Sequence, residues 1–252
     1  MDFCGLEAKR IEHRVVSHKE WLEARKRHLA DEKEFTKQRD RLSQARRDLP
    51  WERVEKDYEF EGPNGRASLS ELFGDRGQLV IYHAMFNPDT ASESTSWTKD
   101  APCFVCSFWL DNLNGVAVHL KHRDVTMAAV SYAPYEKLAA YGKRMGWVFP
   151  WYSSQGSDFN FDYRVSFTPE ELAAGKADYN YRTDPIGDGT EAPGISVFTR
   201  GDDGGIYHTY SAYARGLDML NVGYHYLDIV PKGRDEEGIG AGWVHRRDEY
   251  PD

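Results

Sequence analysis

Two nearly continuous apolar runs constrain this fold more than any other feature: Gln78-Leu79-Val80-Ile81-Tyr82-His83-Ala84-Met85-Phe86 and Val125-Thr126-Met127-Ala128-Ala129-Val130-Ser131. A strand that is apolar at almost every position must be covered on both faces, the situation of strands in a parallel sheet. The spacer between the runs holds a polar, Ser/Thr-rich loop from Asn87 to Lys99, read as an insertion before the next helix. That helix begins around Cys103 and runs through FVCSFWLDNLNG, with Gly115 as the candidate stop. A further helix is predicted from Tyr135 to Met145, with Leu138 and Tyr141 on one face, and then an aromatic strand over Trp147–Tyr152. Strand, helix, strand, helix, strand predicts an α/β layer with parallel crossovers.

Flanking elements carry their own signals. Ser17 and Glu20 have capping-box spacing, and from there to about Leu49 no Gly or Pro interrupts a charged helix that Pro50 stops. Its apolar stripe is thin (Trp21, Leu22, Leu29, Phe35, Leu42), which suits a solvated arm or the surface of a homodimer. Residues 1–50 are therefore read as a helical arm and 51–252 as one domain with extensions. A hairpin is predicted over WERVEKDYEFEGPNGRASL with its turn at Gly62-Pro63-Asn64-Gly65. Ser68 and Glu71 repeat the capping box before a short helix ending near Gly74. Another short helix is read at Pro169–Leu172, and Ile195–Thr199 and Ile206–Tyr210 flank the hairpin turn GDDGG. A helix is predicted over part of Leu217–Leu227, with a loop-like tail from Pro231.

Composition narrows the function classes. Lys+Arg 32 against Asp+Glu 41 gives a net charge of −9, which disfavours binding to nucleic-acid phosphates or anionic membranes. No run reaches the roughly 18 apolar residues of a membrane span. The N-terminal MDFCGLEAKRIEHR lacks the apolar core of a signal peptide, and three cysteines are too few for a disulfide scaffold. A cytoplasmic setting is the expectation. Phosphate-loop, dinucleotide, serine-hydrolase and HExxH signatures are missing.

Cys103-Phe104-Val105-Cys106 carries the chemistry. Two cysteines three apart at a helix start can close a small disulfide ring, and the helix N-terminus stabilises a thiolate. Cys103 is expected to attack and Cys106, one turn further in, to resolve the mixed disulfide. The pair thus predicts a thiol–disulfide or peroxide-linked oxidoreductase that requires no cofactor, with a small-molecule or protein thiol or disulfide as the expected substrate. Cys4 has no partner in spacing and is read as an inert thiol.

The order of elements resembles the thioredoxin superfamily, in which a strand delivers a CxxC to a helix and a cis-proline loop precedes an antiparallel hairpin. By that resemblance Pro193 is the cis-proline beside the cysteines, where it would help an extended substrate to pair. LPWERVEKDYEFEGPNG, CSFWLDNLNG, RMGWVFPWYSSQGSDFNFD, VSFTPEEL, APGISVF, YHTYSAYARGLDMLN and YLDIVPKGRDE are similar to the bacterial thioredoxin-like family catalogued as "domain of unknown function 899". The resemblance spans about Val15 to Tyr250 and implies a thioredoxin-like α/β fold with a long N-terminal helix and an elaborated C-terminal region. In that family the cysteines usually enclose Pro-Ser after a glycine. Here Phe104-Val105 lie between them and Pro102 precedes them, and such apolar neighbours are expected to raise the thiol pKa values.

Two rival readings stay open. His83, at the end of the strand feeding the CxxC, is expected to face Cys103 and Cys106. Two thiolates and an imidazole suit copper or zinc, a set that resembles the copper-delivery proteins of the superfamily. His119, His122 and His208 are further candidates, while His13, His18 and His28 are read as solvated. The third reading is a non-catalytic binding module that keeps the fold. His208, Tyr210, Arg215 and Trp151 are expected to shape substrate access, with Arg215 alternatively paired to Asp218. Trp147, Phe149, Trp151, Tyr152, Phe159, Phe161 and Tyr163 are read as core or as one aromatic pocket rimmed by Asp158 and Asp162.

Overall fold

The computed structural model describes residues 13–86, 100–183 and 189–251. Cys4 and the insertion over Asn87–Lys99 lie outside the described residues. The elements in order are α1 (His18–Arg47), β1 (Glu52–Arg53), β2 (Glu59–Gly62), β3 (Gly65–Ser68), α2 (Leu69–Leu72), β4 (Gln78–His83) and α3 (Phe104–Lys121). They continue as β5 (Val125–Ser131), α4 (Tyr135–Met145), β6 (Trp151–Ser153), α5 (Phe159–Asp162), α6 (Pro169–Ala173), β7 (Asp178–Tyr179) and β8 (Arg182–Thr183). The last three are β9 (Gly194–Arg200), β10 (Ile206–Tyr213) and α7 (Val222–Leu227).

The chain forms two compact units. Among the described residues, 13–49 with 226–235 make one, and 50–86, 100–183, 189–225 and 236–251 make the other. In the first, α1 is entered through the expected capping box, with the Ser17 side chain on the Glu20 N–H and the Glu20 carboxylate on the Ser17 N–H. None of its residues is buried, and Trp21, Phe35 and Leu42 are exposed.

The second unit is built on an eight-stranded sheet in the order β1-β10-β9-β4-β5-β6-β2-β3. β4, β5 and β6 run parallel, while β9 pairs antiparallel to β4 and β10 antiparallel to β9. The central set β5-β4-β9-β10, two parallel strands joined by a helical crossover and extended by an antiparallel hairpin, is a thioredoxin-like arrangement. Adjacent side chains of β4 point to opposite faces. Leu79 and Ile81 enter a core with Phe60, Leu72, Phe73, Phe159 and Phe198, whereas Tyr82 points to the face where α3 begins.

Several boundaries differ from the sequence reading for identifiable reasons. α3 runs through Gly115 to Lys121, because Leu113 and Ala117 continue the buried stripe of Cys106, Trp109 and Leu110 past the exposed glycine. The helix stops only before Asp124, whose φ is 61°. The aromatic strand shrinks to β6. α4 instead ends on left-handed Gly146 (φ 62°), and the Trp147 N–H bonds back to the Gly142 carbonyl. The 51–68 segment is divided, since β1 leaves the hairpin to pair with β10. Within β10 the ladder slips between His208 (opposite Phe198) and Tyr210 (opposite Val197), so Thr209 is an extra, bulged residue.

Candidate thiol site

Cys103 is the N-cap of α3, and both cysteines are free and buried, with exposures of 5% and 1%. The entry is pinned by the Cys103 N–H on the Met85 carbonyl at 3.0 Å and by a bridge between Phe86 and Pro102. The strand end of β4 and the start of α3 are thereby stitched together, which places the first helical turn over Tyr82.

The two thiols are electrostatically unequal. Cys103 is drawn down to about 7 from an ordinary 9.0, first by the hydrogen bond from Cys106, then by the N–H groups of Cys106 and Val105 and the charge of Arg246; burial opposes this. Cys106 is pushed well up by burial and by its bond to the negative Cys103. The Tyr82 side chain and the Met85 N–H, at 3.4 Å from the Cys106 sulfur, offset part of that rise. The expected rise therefore falls on Cys106, while at Cys103 the hydrogen bond from Cys106, together with the N–H groups of the helix terminus and the Arg246 charge, outweighs burial.

Three residues that sequence reasoning missed complete the surroundings. Glu191, 6% exposed, accepts the Phe86 N–H at 2.9 Å and sits near the Ser166 hydroxyl at 3.5 Å. Burial pushes its carboxyl well above the usual range, and the nearby negative Cys103 adds to the rise. Arg246 is buried too, donating to the Pro102 carbonyl at 3.0 Å and to Glu249 at 3.1 Å. Tyr82 is the third. No local motif announces these residues, because they reach the cysteines from β4, from the segment before β9 and from the C-terminal tail.

His83 does not join this site. Strand alternation sends it to the opposite face from Tyr82, where its Nε2 bonds the Ser196 hydroxyl at 2.9 Å and its ring packs on Phe159 and Tyr163. Burial, with a smaller contribution from His208, lowers its pKa to about 3. Among the described residues, no group of three or more His, Cys, Asp or Glu is arranged to hold a metal ion. The expected Cys103–Cys106–His83 set is corrected accordingly.

Pro193 follows a trans peptide bond, since no cis bond occurs among the described residues. The Ala192 N–H is occupied by the Val165 carbonyl at 2.9 Å, and the Tyr179 hydroxyl donates to the Pro193 carbonyl at 2.8 Å. These bonds hold the backbone that the cis-proline analogy left open for a substrate.

The remaining candidates disperse. His208 lies on the His83 side of the sheet, bonded to Ser211, and Tyr210 follows the β10 bulge. Arg215 pairs with Asp218 at 3.0 Å and is largely exposed. Trp151 is buried against Phe86, Tyr141 and Trp147, its indole N–H on Ser131. The seven aromatics do not form one pocket. Trp147, Phe149 and Trp151 line a groove with Pro63 and Tyr135, whereas Phe159 and Tyr163 pack around Phe198 across the sheet. Asp158 and Asp162 are bound by Lys56, at 2.6 and 2.8 Å.

With this geometry in view, the family model described as "Bacterial protein of unknown function (DUF899)" matches residues 10–250. The chain belongs to that family. None of the curated proteins matches it in sequence. Among solved structures it is similar to peroxidoxin BcpB from Mycobacterium tuberculosis (14% identity, 69% of this chain and 94% of that one, TM-score 0.44). The bacterioferritin comigratory protein of Xanthomonas campestris is similar at 12% identity, 70% and 94% coverage and a TM-score of 0.42. The mitochondrial 2-Cys peroxiredoxin from Plasmodium falciparum follows at 10% identity, 72% and 95% coverage and 0.42. No helix among the described residues of this DUF899 member is long and apolar enough to cross a membrane.

Proposed function

We propose that this protein is a thiol oxidoreductase in which Cys103 attacks a small hydroperoxide and Cys106 resolves the product. The observation that carries the reading is the inequality of the pair: a thiol drawn down to about 7 at a helix N-terminus, touching a second thiol that burial keeps protonated. A small oxidant suits the site better than a polypeptide disulfide. Cys103 is buried, and the Ala192 N–H that would pair with an extended chain is already bonded to Val165.

The chemistry balances with the residues present. The Cys103 thiolate attacks the distal peroxide oxygen, an S–O bond forms and the O–O bond breaks. The leaving alkoxide takes the proton of Glu191, a carboxylic acid that burial keeps neutral. The Arg246 charge favours the attacking thiolate. The Cys106 sulfur then attacks the Cys103 sulfenic acid, forming the disulfide, and the hydroxyl leaves as water with the Cys106 proton. An external dithiol returns the pair to its reduced form.

Stopped-flow reduction of hydrogen peroxide and of an organic hydroperoxide tests the proposal. Cys106→Ser is expected to complete one turnover and stop at a sulfenic acid that a 1,3-diketone probe traps. Peroxide consumption that survives Cys103→Ser sinks the reading, and faster reduction of a polypeptide disulfide than of peroxide moves the substrate class.

A further inference from the structure

The C-terminal tail links the last turn of α4 to the segment that enters α3. In that last turn the Arg144 guanidinium grips Asp248 with two arms of its fork, Nε at 2.6 Å and Nη2 at 2.9 Å. Its Nη2 also donates to Glu249 Oε1 at 2.8 Å. The second oxygen of Glu249 accepts from Arg246 Nη1 at 3.1 Å, and Arg246 Nη2 donates to the Pro102 carbonyl at 3.0 Å. A continuous path of charge-assisted bonds thus joins the end of α4 to the residue immediately before Cys103. Arg247, at 3.3 Å from Asp111 of α3, ties the tail down a second time.

Burial divides this path into two halves. The side chains of Arg144, Asp248 and Glu249 are 42%, 38% and 38% exposed, a setting in which ion pairs add little to stability. Arg246 is buried, where a guanidinium without a fixed carboxylate is costly. A planar fork bonded on two sides has little freedom to rotate, so Glu249 gives Arg246 an orientation as well as a counter-charge. Arg144 does the same for Glu249. Three titratable groups that act on or sense Cys103 are kept neutral, chiefly by burial: Cys106 of α3, Tyr82 of β4 and Glu191 before β9. Arg246 is a permanent cation acting on the same sulfur. Where its guanidinium is held therefore bears on how readily Cys103 ionises.

We propose that Arg144 and Glu249 are positioning residues for the thiol site: Arg144 fixes Glu249, and Glu249 fixes Arg246 against the Pro102 carbonyl beside Cys103. That role rests on the thiol reading above and deepens it, giving the C-terminal tail a part in readying the attacking sulfur. Neither residue touches the sulfur or the peroxide. Both act through the place where they hold a buried charge.

The experiment follows iodoacetamide alkylation of Cys103 against pH in the full reduced chain, with the modified residue mapped by peptide mass spectrometry. Arg144→Met and Glu249→Met, at part-exposed positions, change the net charge in opposite directions. A field effect alone would move the Cys103 midpoint up in Arg144→Met and down in Glu249→Met. Loss of position moves both up. Each variant is expected to alkylate about twofold or more slowly at pH 6, with the high-pH plateau rate unchanged. Midpoints that shift in opposite directions overturn the proposal, as do midpoints that stay put in both variants. A lower or higher plateau with an unmoved midpoint also overturns it, since that reports access to the sulfur instead of its ionisation. Alkylation consumes no peroxide, so these outcomes stand apart from the stopped-flow result that decides the peroxide reading.

Discussion

Tyr82 and His83 are sequence neighbours at the end of one strand, and they serve opposite electrostatic regimes. On the Tyr82 face a helix begins, and the hydrogen bond from Cys106, joined by the N–H groups of the first turn and the Arg246 charge, holds a thiol near 7 despite burial. On the His83 face burial dominates, with a smaller contribution from His208: the imidazole is held neutral, with its pKa at about 3. The same depth of burial thus leaves one group ready to carry charge and the other barred from it. What differs is whether hydrogen-bond donors and an opposite charge converge on the charged form of the buried group.

The largest test of this contrast is chemical. Cys103→Ser is expected to lower peroxide turnover by about a thousandfold or more, while His83→Asn stays within about twofold, both read by stopped-flow kinetics. Comparable losses from the two variants would erase the distinction between the faces. Next in size, Glu191→Gln should slow turnover about a hundredfold, the scale of losing a proton donor. Alkylation of Cys103 by iodoacetamide should not slow in the same variant. If alkylation falls with turnover, Glu191 serves thiolate formation instead of the leaving oxygen.

Stability against pH sharpens the His83 side. Its folded pKa of about 3 lies below the ordinary 6.5, so between those values the unfolded chain binds a proton that the native chain does not. Stability from this group is complete above 6.5 and is lost as pH falls, by about 1.4 kcal/mol per unit within that window. Urea unfolding of His83→Asn should lack this share of the acid slope, whereas Cys103→Ser should retain it. The smallest effect belongs to neither face. Ser68→Ala removes the cap that accepts the Glu71 N–H and should cost about 1 kcal/mol in the same urea assay, with turnover unchanged.

Local chemistry made part of this molecule legible in its sequence. Both serine capping boxes, β5 and α4 follow from residues within one turn or one strand of each other. The CxxC was visible for the same reason. Gly115 misled because a glycine ends a helix only where the buried stripe also ends, and Leu113 and Ala117 carry it onward. The face of His83 was hidden by the apolar run itself, since a strand buried on both sides erases the alternation that would assign its residues. Glu191 and Arg246 come from distant segments, and a buried carboxyl beside a thiol has no signature in spacing.

The bulge at Thr209 works as a parity switch. His208 and Ser211 are three residues apart, an odd separation that in an unbroken strand sends two side chains to opposite sides. One surplus residue makes the count effectively even, and both side chains reach the same face. Deleting Thr209 would leave the hydrogen-bonded row His83, Ser196, Ser211 and His208 intact in composition, yet it would turn one end of that row through the sheet. Length, as much as composition, is under constraint in β10.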